Sequence, residues 1–275
     1  MSASRPLTVL CLASEEKGHE FLRECKRQGC RVLLVTRQKL ADADWPKEAI
    51  DDVFFLTTLW ERDDLLKGVS FLARTQEIDR IVPLDDYDVE GAAVLREHLR
   101  IPGMGDATAR YFRDKLAMRV KAKDHGIPVP EFVPVINYGR IREYMERVSA
   151  PWLLKPRSEA AAFGIKKVLT PDELWKMLDG LGDRQSFYVP EQYVPASIYH
   201  VDAIVSERAV IFAAAHRYGH SPMDVTYSGG ISSTRTLPRA SAEAQALTWL
   251  NREVVDTLGL VRGVTHTEFI RGRDD

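Results

Sequence analysis

Residues 151–169 read PWLLKPRSEAAAFGIKKVL, and the fold turns on how Lys155 within them is explained. Pro151, Trp152, Leu153 and Leu154 lead into the lysine along what reads as a buried strand. An unpaired buried ammonium is costly, so Lys155 either snorkels to water or meets an anion. The turn that follows carries the small residues Ala161, Ala162 and Gly164, whose backbone N–H groups can approach a bound group closely. Phosphate-cradling turns use glycines in the same way. An edge-strand lysine followed by an ordinary hairpin turn is the alternative.

Working outward, the strand IKKVLT closes this hairpin, PDELWKMLDGL (171–181) has helical spacing, and SFYVPEQY is a further strand. Upstream, TARYFRDKLAMRVKAKDHG reads as one helix, with Thr108 as N-cap and Gly126 as stop; IPVPEFVPV reads as a Pro-edged strand and INYGRIREYMERV as a second helix. Downstream come two long strands, IYHVDAIVSE and AVIFAAAHRY, turning near Ser206 and Glu207. The glycine-bearing loop TYSGGISS, the helix SAEAQALTWLNREVVDTLG and the strand GVTHTEFIRG follow. This order makes a two-lobed α+β unit.

The first hundred residues differ. LTVLCLA (7–13), RVLLVT (31–36), VFFLT (53–57) and RIVPL (80–84) alternate with helical segments, which predicts a doubly wound parallel α/β domain. The turn after the first strand, ASEEKGHE, has no G-x-G-x-x-G, so a dinucleotide site is weakly supported. IPGMGDA (101–107) marks the boundary between domains 1–107 and 108–275.

Hydrophobic residues make up 45% of the 275-residue chain and charged residues 28%, an ordinary globular composition. The net charge of −2 supplies no electrostatic footprint for nucleic acid or for an anionic membrane. No apolar run approaches the ~20 residues that span a bilayer, and the N-terminus lacks the apolar core of a secretory signal. Cys11, Cys25 and Cys30 are too few and too clustered for a disulfide framework or a zinc site and read as thiols in a reducing cytosol. The expectation is a cytoplasmic protein.

Four polar groups stand out in order: Lys115 in a basic helix, Lys155, Glu191 in VPEQYV and Glu268 in THTEF. Each also has a plain reading, as a solvated helix face, an edge-strand lysine or an exposed strand carboxylate. Two separated ammonium groups can flank a polyphosphate. The Glu191 segment, with Gln192, Tyr193 and Val194, can meet an adenine edge through backbone groups and apolar walls. Strand alternation sets His266 and Glu268 on one face, and magnesium prefers one or two carboxylates with phosphate oxygens. Arg217, whose planar guanidinium could grip a carboxylate bidentately, is either a substrate residue or a surface residue at a strand end.

Taken together, RDKLAMRVKAKDHGIPVPEF, PWLLKPRSEAAAFGIKKV, VPEQYVPASIYHVDAIV and GVTHTEF resemble the ATP-grasp superfamily over essentially the whole chain. The resemblance implies a pre-ATP-grasp domain at 1–107, a small ATP-binding lobe at about 115–192 and a second lobe at about 193–275. It implies that Lys115 and Lys155 contact ATP phosphates beside the loop of Ala161, Ala162 and Gly164. By the same match, Glu191 to Val194 hold adenine and Glu268 binds Mg2+. The implied reaction activates a small-molecule carboxylate as an acyl phosphate that an amine or thiol intercepts. Bicarbonate chemistry of the biotin-carboxylase kind and a non-catalytic nucleotide-binding module are the alternatives, and a homodimer is one assembly the reading allows. The sequence departs from the family at its glycine-poor loop and at Ala196, Ser197 and Ile198, where a ribose-binding glutamate is usual. It also ends seven residues past Glu268, before the strand that carries the second metal carboxylate; Asp274 and Asp275 fall at the turn into that strand. The expectation is a truncated, incomplete or degenerate chain.

Overall fold

The structure, a computed structural model, describes residues 5–272 and divides into two compact units, 1–113 and 114–275; Asp274 and Asp275 lie outside the described residues. In the first unit, β1 (Thr8–Ala13), β2 (Arg31–Arg37), β3 (Asp52–Leu56) and β4 (Arg80–Pro83) form a parallel sheet in the order β3-β2-β1-β4. Leu10, Leu12, Leu33 and Val35 pack on one face against α2 (Arg62–Leu72) and α3 (Val89–Leu99), through Leu65, Val69, Ala92 and Leu95. Val9, Cys11, Val32 and Leu34 pack on the other against Leu22 of α1 (His19–Arg27). Burial on both faces explains why β1 and β2 read as continuous apolar runs. The doubly wound α/β architecture expected from the sequence is the one observed.

The helix expected over 108–126 is two helices. α4 (Asp106–Arg113) packs on α3 in the first unit, and α5 (Lys115–Asp124) opens the second. The break falls at Asp114, whose backbone is extended and whose carboxylate accepts from Leu116 N at 2.9 Å and Ala117 N at 3.3 Å. An Asp that satisfies two orphan amide donors makes a new N-cap and ends any continuous helix there.

The second unit holds two antiparallel sheets. β5 (Trp152–Pro156) lies between β6 (Lys166–Val168) and β7 (Tyr188–Gln192), and Trp152, Leu154 and Val168 bury one face against α6 (Tyr138–Arg147) and α7 (Pro171–Leu181). The strand expected at 127–135 is absent. Pro128, Pro130 and Pro134 have no N–H to give a ladder, and the segment only borders β7, with Val133 N donating to Pro190 O and Gln192 N to Glu131 O. The other sheet runs in the order β10-β9-β8-β11, from β10 (Thr234–Thr236), β9 (Ala209–Tyr218), β8 (Ser197–Ser206) and β11 (Gly263–Arg271). Glu207 and Arg208 make its β8–β9 turn at φ 50° and 65°, the left-handed pair that a two-residue hairpin needs. Tyr199, Val201, Ala215 and Phe269 pack on α9 (Ala242–Leu258). Part of the expected TYSGGISS loop is helical: α8 (Pro222–Ser228) starts at Ser221, whose hydroxyl accepts from Asp224 N, with Pro222 in the first turn. A Ser N-cap followed by Pro is a strong helix start.

In the first unit Asp88 is buried, accepts from Ser14 N at 2.8 Å and leaves its other oxygen without a hydrogen bond. Burial pushes its carboxyl up to about 6. A raised folded value favours the protonated form, so stability is full below the unfolded value of about 3.9 and is lost as pH rises through about 6. Asp88→Asn is therefore expected to stabilise the protein by on the order of 2 kcal/mol at pH 7 and to change little near pH 3. Chemical denaturation at the two pH values checks this, and equal effects at both would exclude it.

Candidate functional site

Alternation along β5 places Trp152 and Leu154 in the apolar core and Leu153 and Lys155 on the opposite face. Lys155 is thus not buried on both sides, although only 11% of its side chain is exposed. β7 pairs with β5 so that Glu191 lies opposite Leu153 and shares the face of Lys155. The Glu191 carboxylate, 1% exposed, accepts from Lys155 Nζ on one oxygen and from Arg119 Nε on the other at 3.1 Å. Burial pushes this carboxyl up, but the charges of Arg119 and Lys155 outweigh it and hold the group below its ordinary value. The anion that Lys155 requires is a protein side chain. Arg119 lies one helical turn after Lys115 on α5, and the i, i+4 spacing within the basic helix is the sequence signal that joins the two.

Lys115 is tied to the chain that leaves β5. Its N–H donates to Arg157 O at 2.8 Å and its Nζ to Glu159 O. Asp114 fixes this geometry, because besides capping α5 it receives two hydrogen bonds from Arg157, one of them at 2.9 Å. The turn beyond has Ala161, Ala162 and Gly164 at φ 52°, 60° and 71°. Left-handed alanines cost roughly 1–2 kcal/mol each. Among the described residues none of the three N–H groups donates a hydrogen bond. The Phe163 N–H between them donates to Ala160 O at 3.0 Å, so the turn offers the consecutive donors of Ala161 and Ala162 with that of Gly164 beyond, and backbone donors in such a turn can meet an anion such as phosphate. α8 covers the turn, Thr226 Oγ1 donating to Ala161 O at 3.3 Å and Tyr227 Oη to Ile165 O; nothing in the sequence marked either residue.

The segment after Glu191 is more constrained than expected. Gln192 and Tyr193 already give their N–H groups to Glu131 O and Pro151 O, and the Tyr193 ring carries Lys167 Nζ at 4.0 Å. Val194 N–H makes no hydrogen bond among the described residues and so can donate to a ligand.

On the other sheet, register sets Glu268 opposite His200, and His200 opposite His216; His266 lies opposite Asp202. These five side chains share one face. Tyr218 Oη donates to Glu268 at 3.1 Å. Desolvation pushes the Glu268 carboxyl up, while His266, Tyr218 and the charge of Lys155 pull it below its ordinary value. An ionised, half-exposed oxygen donor fits Mg2+. Glu268 and Asp202 hold the His266 imidazolium above its ordinary value against the effect of burial, whereas burial lowers that of His200. Arg217 is not among them. It is opposite Tyr199, over whose ring its guanidinium lies at 5.7 Å, and it donates to Ser197 Oγ at 3.0 Å. Tyr199 belongs to the α9 side, so Arg217 occupies the face away from Glu268.

Solved structures share this arrangement of elements. The chain aligns with the L-amino acid ligase of Bacillus licheniformis at a TM-score of 0.80 and 18% identity, over 99% of this chain and 65% of that one. It aligns with the biotin carboxylase domain of Hydrogenobacter thermophilus 2-oxoglutarate carboxylase, in complex with MgADP, ADP and bicarbonate, at 0.74 and 15%, over 99% and 62%. The chain has the fold of the ATP-grasp ligases. In sequence it is 27% identical over 175 residues to the L-arginine-specific L-amino acid ligase of Bacillus subtilis, 62% of this chain and 41% of the relative. It therefore spans less than two thirds of the length of each of these proteins. No protein-family model matches it.

Removing one partner of a buried, hydrogen-bonded ion pair costs about 3–5 kcal/mol. Glu191→Gln is expected to lose at least the lower end of that range at neutral pH, since it leaves Lys155 and Arg119 facing each other. A depressed carboxyl contributes stability above its unfolded value of about 4.3 and loses it as pH falls through the folded value. The gap between parent and variant should thus narrow in acid. Thermal denaturation at pH 7 and pH 3.5 tests this, and a variant as stable as the parent at pH 7 would show that the cluster adds nothing.

Proposed function

We propose that the second unit binds ATP with Mg2+ and that the chain is the nucleotide-binding part of a ligase joining a small-molecule carboxylate, of amino-acid type, to an amine. The observation that carries this reading is the unpaired left-handed turn at Ala161, Ala162 and Gly164, bordered by Lys115. The γ- and β-phosphates would take the three N–H groups and the two lysines, adenine would take Val194 N–H, and Glu268 would hold the metal. Magnesium bound there would neutralise charge on the phosphate oxygens during transfer.

In this scheme Lys155 has two partners in succession. Its ammonium is kept oriented by Glu191, and a buried carboxylate with two cations around it carries a net positive field toward an incoming phosphate. Positioning and charge compensation dominate phosphoryl transfer, so such a preset field contributes without a nucleophilic side chain. The substrate carboxylate would lie on the Glu268 face, where His216 and Tyr218 are the polar groups at the end of β9, and Arg217 would act only through the opposite face. The L-amino acid ligase relatives support an amino-acid carboxylate over bicarbonate, because they include both the sequence match and the alignment with the higher TM-score.

Isothermal calorimetry is expected to detect MgATP binding, and Ala161→Pro, which removes one loop N–H and cannot adopt positive φ, to weaken it at least about tenfold. No binding by the folded chain would reject the reading. Phosphate release stimulated by L-amino acids and not by bicarbonate is the outcome expected for turnover; the reverse preference would favour the carboxylase-type alternative.

A further inference from the structure

Asp202 on β8 is surrounded by three imidazoles. His266 Nδ1 lies 2.6 Å from its Oδ1, and His200 Nδ1 and His216 Nε2 lie 3.3 and 3.4 Å from its Oδ2. The rings stack around it, His200 against His216 at 4.5 Å and 9° and against His266 at 4.5 Å. Neither Glu268 nor the nucleotide reading accounts for so many imidazoles on one carboxylate.

The hydrogen bonds on the far side of the rings fix what faces Asp202. Thr234 Oγ1 lies 3.3 Å from Arg217 O, which can only accept, so the hydroxyl gives its proton there and receives one from His200 Nε2 at 2.9 Å. That tautomer leaves His200 Nδ1 as a bare lone pair. His200 is 4% exposed and its Nδ1 has no hydrogen bond, yet it points at a carboxylate oxygen. Two lone pairs held together at this distance repel unless a cation joins them. His266 is also held from behind: Tyr218 Oη donates to Glu268, so at 3.1 Å it accepts from His266 Nε2, while His266 Nδ1 shares a proton with Asp202 Oδ1 that a bound cation would displace. Metal-binding histidines characteristically donate their second N–H in this way.

We propose that His200 Nδ1, an Asp202 carboxylate oxygen and His266 Nδ1 form a binding site for a zinc-class divalent cation, distinct from the magnesium position at Glu268. The three ligand atoms lie within 4.8 Å of one another. Bonds of about 2.0–2.1 Å to nitrogen and oxygen in a tetrahedron set ligands roughly 3.3–3.4 Å apart, which is the spacing Asp202 Oδ2 has to His200 and to His216. His266 Nδ1 lies against the other carboxylate oxygen, Oδ1, at 2.6 Å, and its half-exposed ring leaves it room to move outward onto the cation. Two imidazoles with one carboxylate select zinc, copper or nickel over magnesium. Three protein ligands leave a fourth position open, available to His216 or to an incoming oxygen on the Glu268 face.

The test uses the 275-residue chain, stripped of metal and free of nucleotide. Cobalt(II) should give the intense visible absorption of a four-coordinate ion, and zinc titrated by calorimetry should bind near one equivalent in the presence of excess Mg2+. Asp202→Asn and His266→Ala should each weaken zinc at least about tenfold, whereas Glu268→Gln should change it less than about threefold while weakening MgATP. Circular dichroism of each variant establishes that it is folded. Zinc affinity unchanged in both Asp202→Asn and His266→Ala, or lost equally in Glu268→Gln, would overturn the proposal; loss of MgATP binding alone would bear on the nucleotide reading and leave the zinc site standing.

Discussion

A carboxylate sealed from water cannot stay charged without partners, and Glu191 obtains two, Lys155 from the neighbouring strand and Arg119 from α5. This contact joins three pieces of chain that are far apart in sequence. It holds the lysine on its strand face, ties α5 to that face through Arg119, and fixes the start of the segment running into the second sheet. Such a buried set is weak evidence for net stability. Its value here is orientation, since the ammonium of Lys155 can point in only one direction while Glu191 is ionised.

The same economy of register governs the second sheet. Because directly opposed residues in antiparallel strands share a face, one alignment of β8, β9 and β11 brings His200, Asp202, His216, His266 and Glu268 together. A slip of one residue in β9 would exchange His216 for Arg217. The face that carries Arg217 is committed instead to Tyr199 and the packing of α9. Chemistry and core are thereby separated to the two sides of a single sheet.

Legibility differed by residue for physical reasons. Lys155 was conspicuous because an ammonium after Trp152, Leu153 and Leu154 violates an apolar run, and Glu268 because alternation places it with His266. Arg119 and Asp202 were not, since an arginine in a basic helix and an aspartate in a polar-apolar alternation break no local rule. The turn at 158–164 was recognisable as small, but its alanines gave no sign of positive φ, which in most chains belongs to glycine. The break at Asp114 was hidden because RYFRDKLAMR keeps helical spacing through it, and only the N-cap bonds of the Asp114 side chain show that two helices meet there.

The sequence by itself determined the parallel α/β unit and, apart from the helix break at Asp114, the missing strand at 127–135 and α8, the elements of the second unit and their order, because these follow from hydrophobic periodicity and from N-caps, glycines and prolines acting over a few residues. It also determined which side chains were out of place in an apolar setting. Only the tertiary structure decided that Lys155 meets Glu191, that Arg119 completes the pair, that Arg217 lies across the sheet from Glu268, and that three histidines converge on Asp202. Those outcomes depend on strand register and on contacts between residues tens of positions apart, where one chain's periodicity carries no information about its partner.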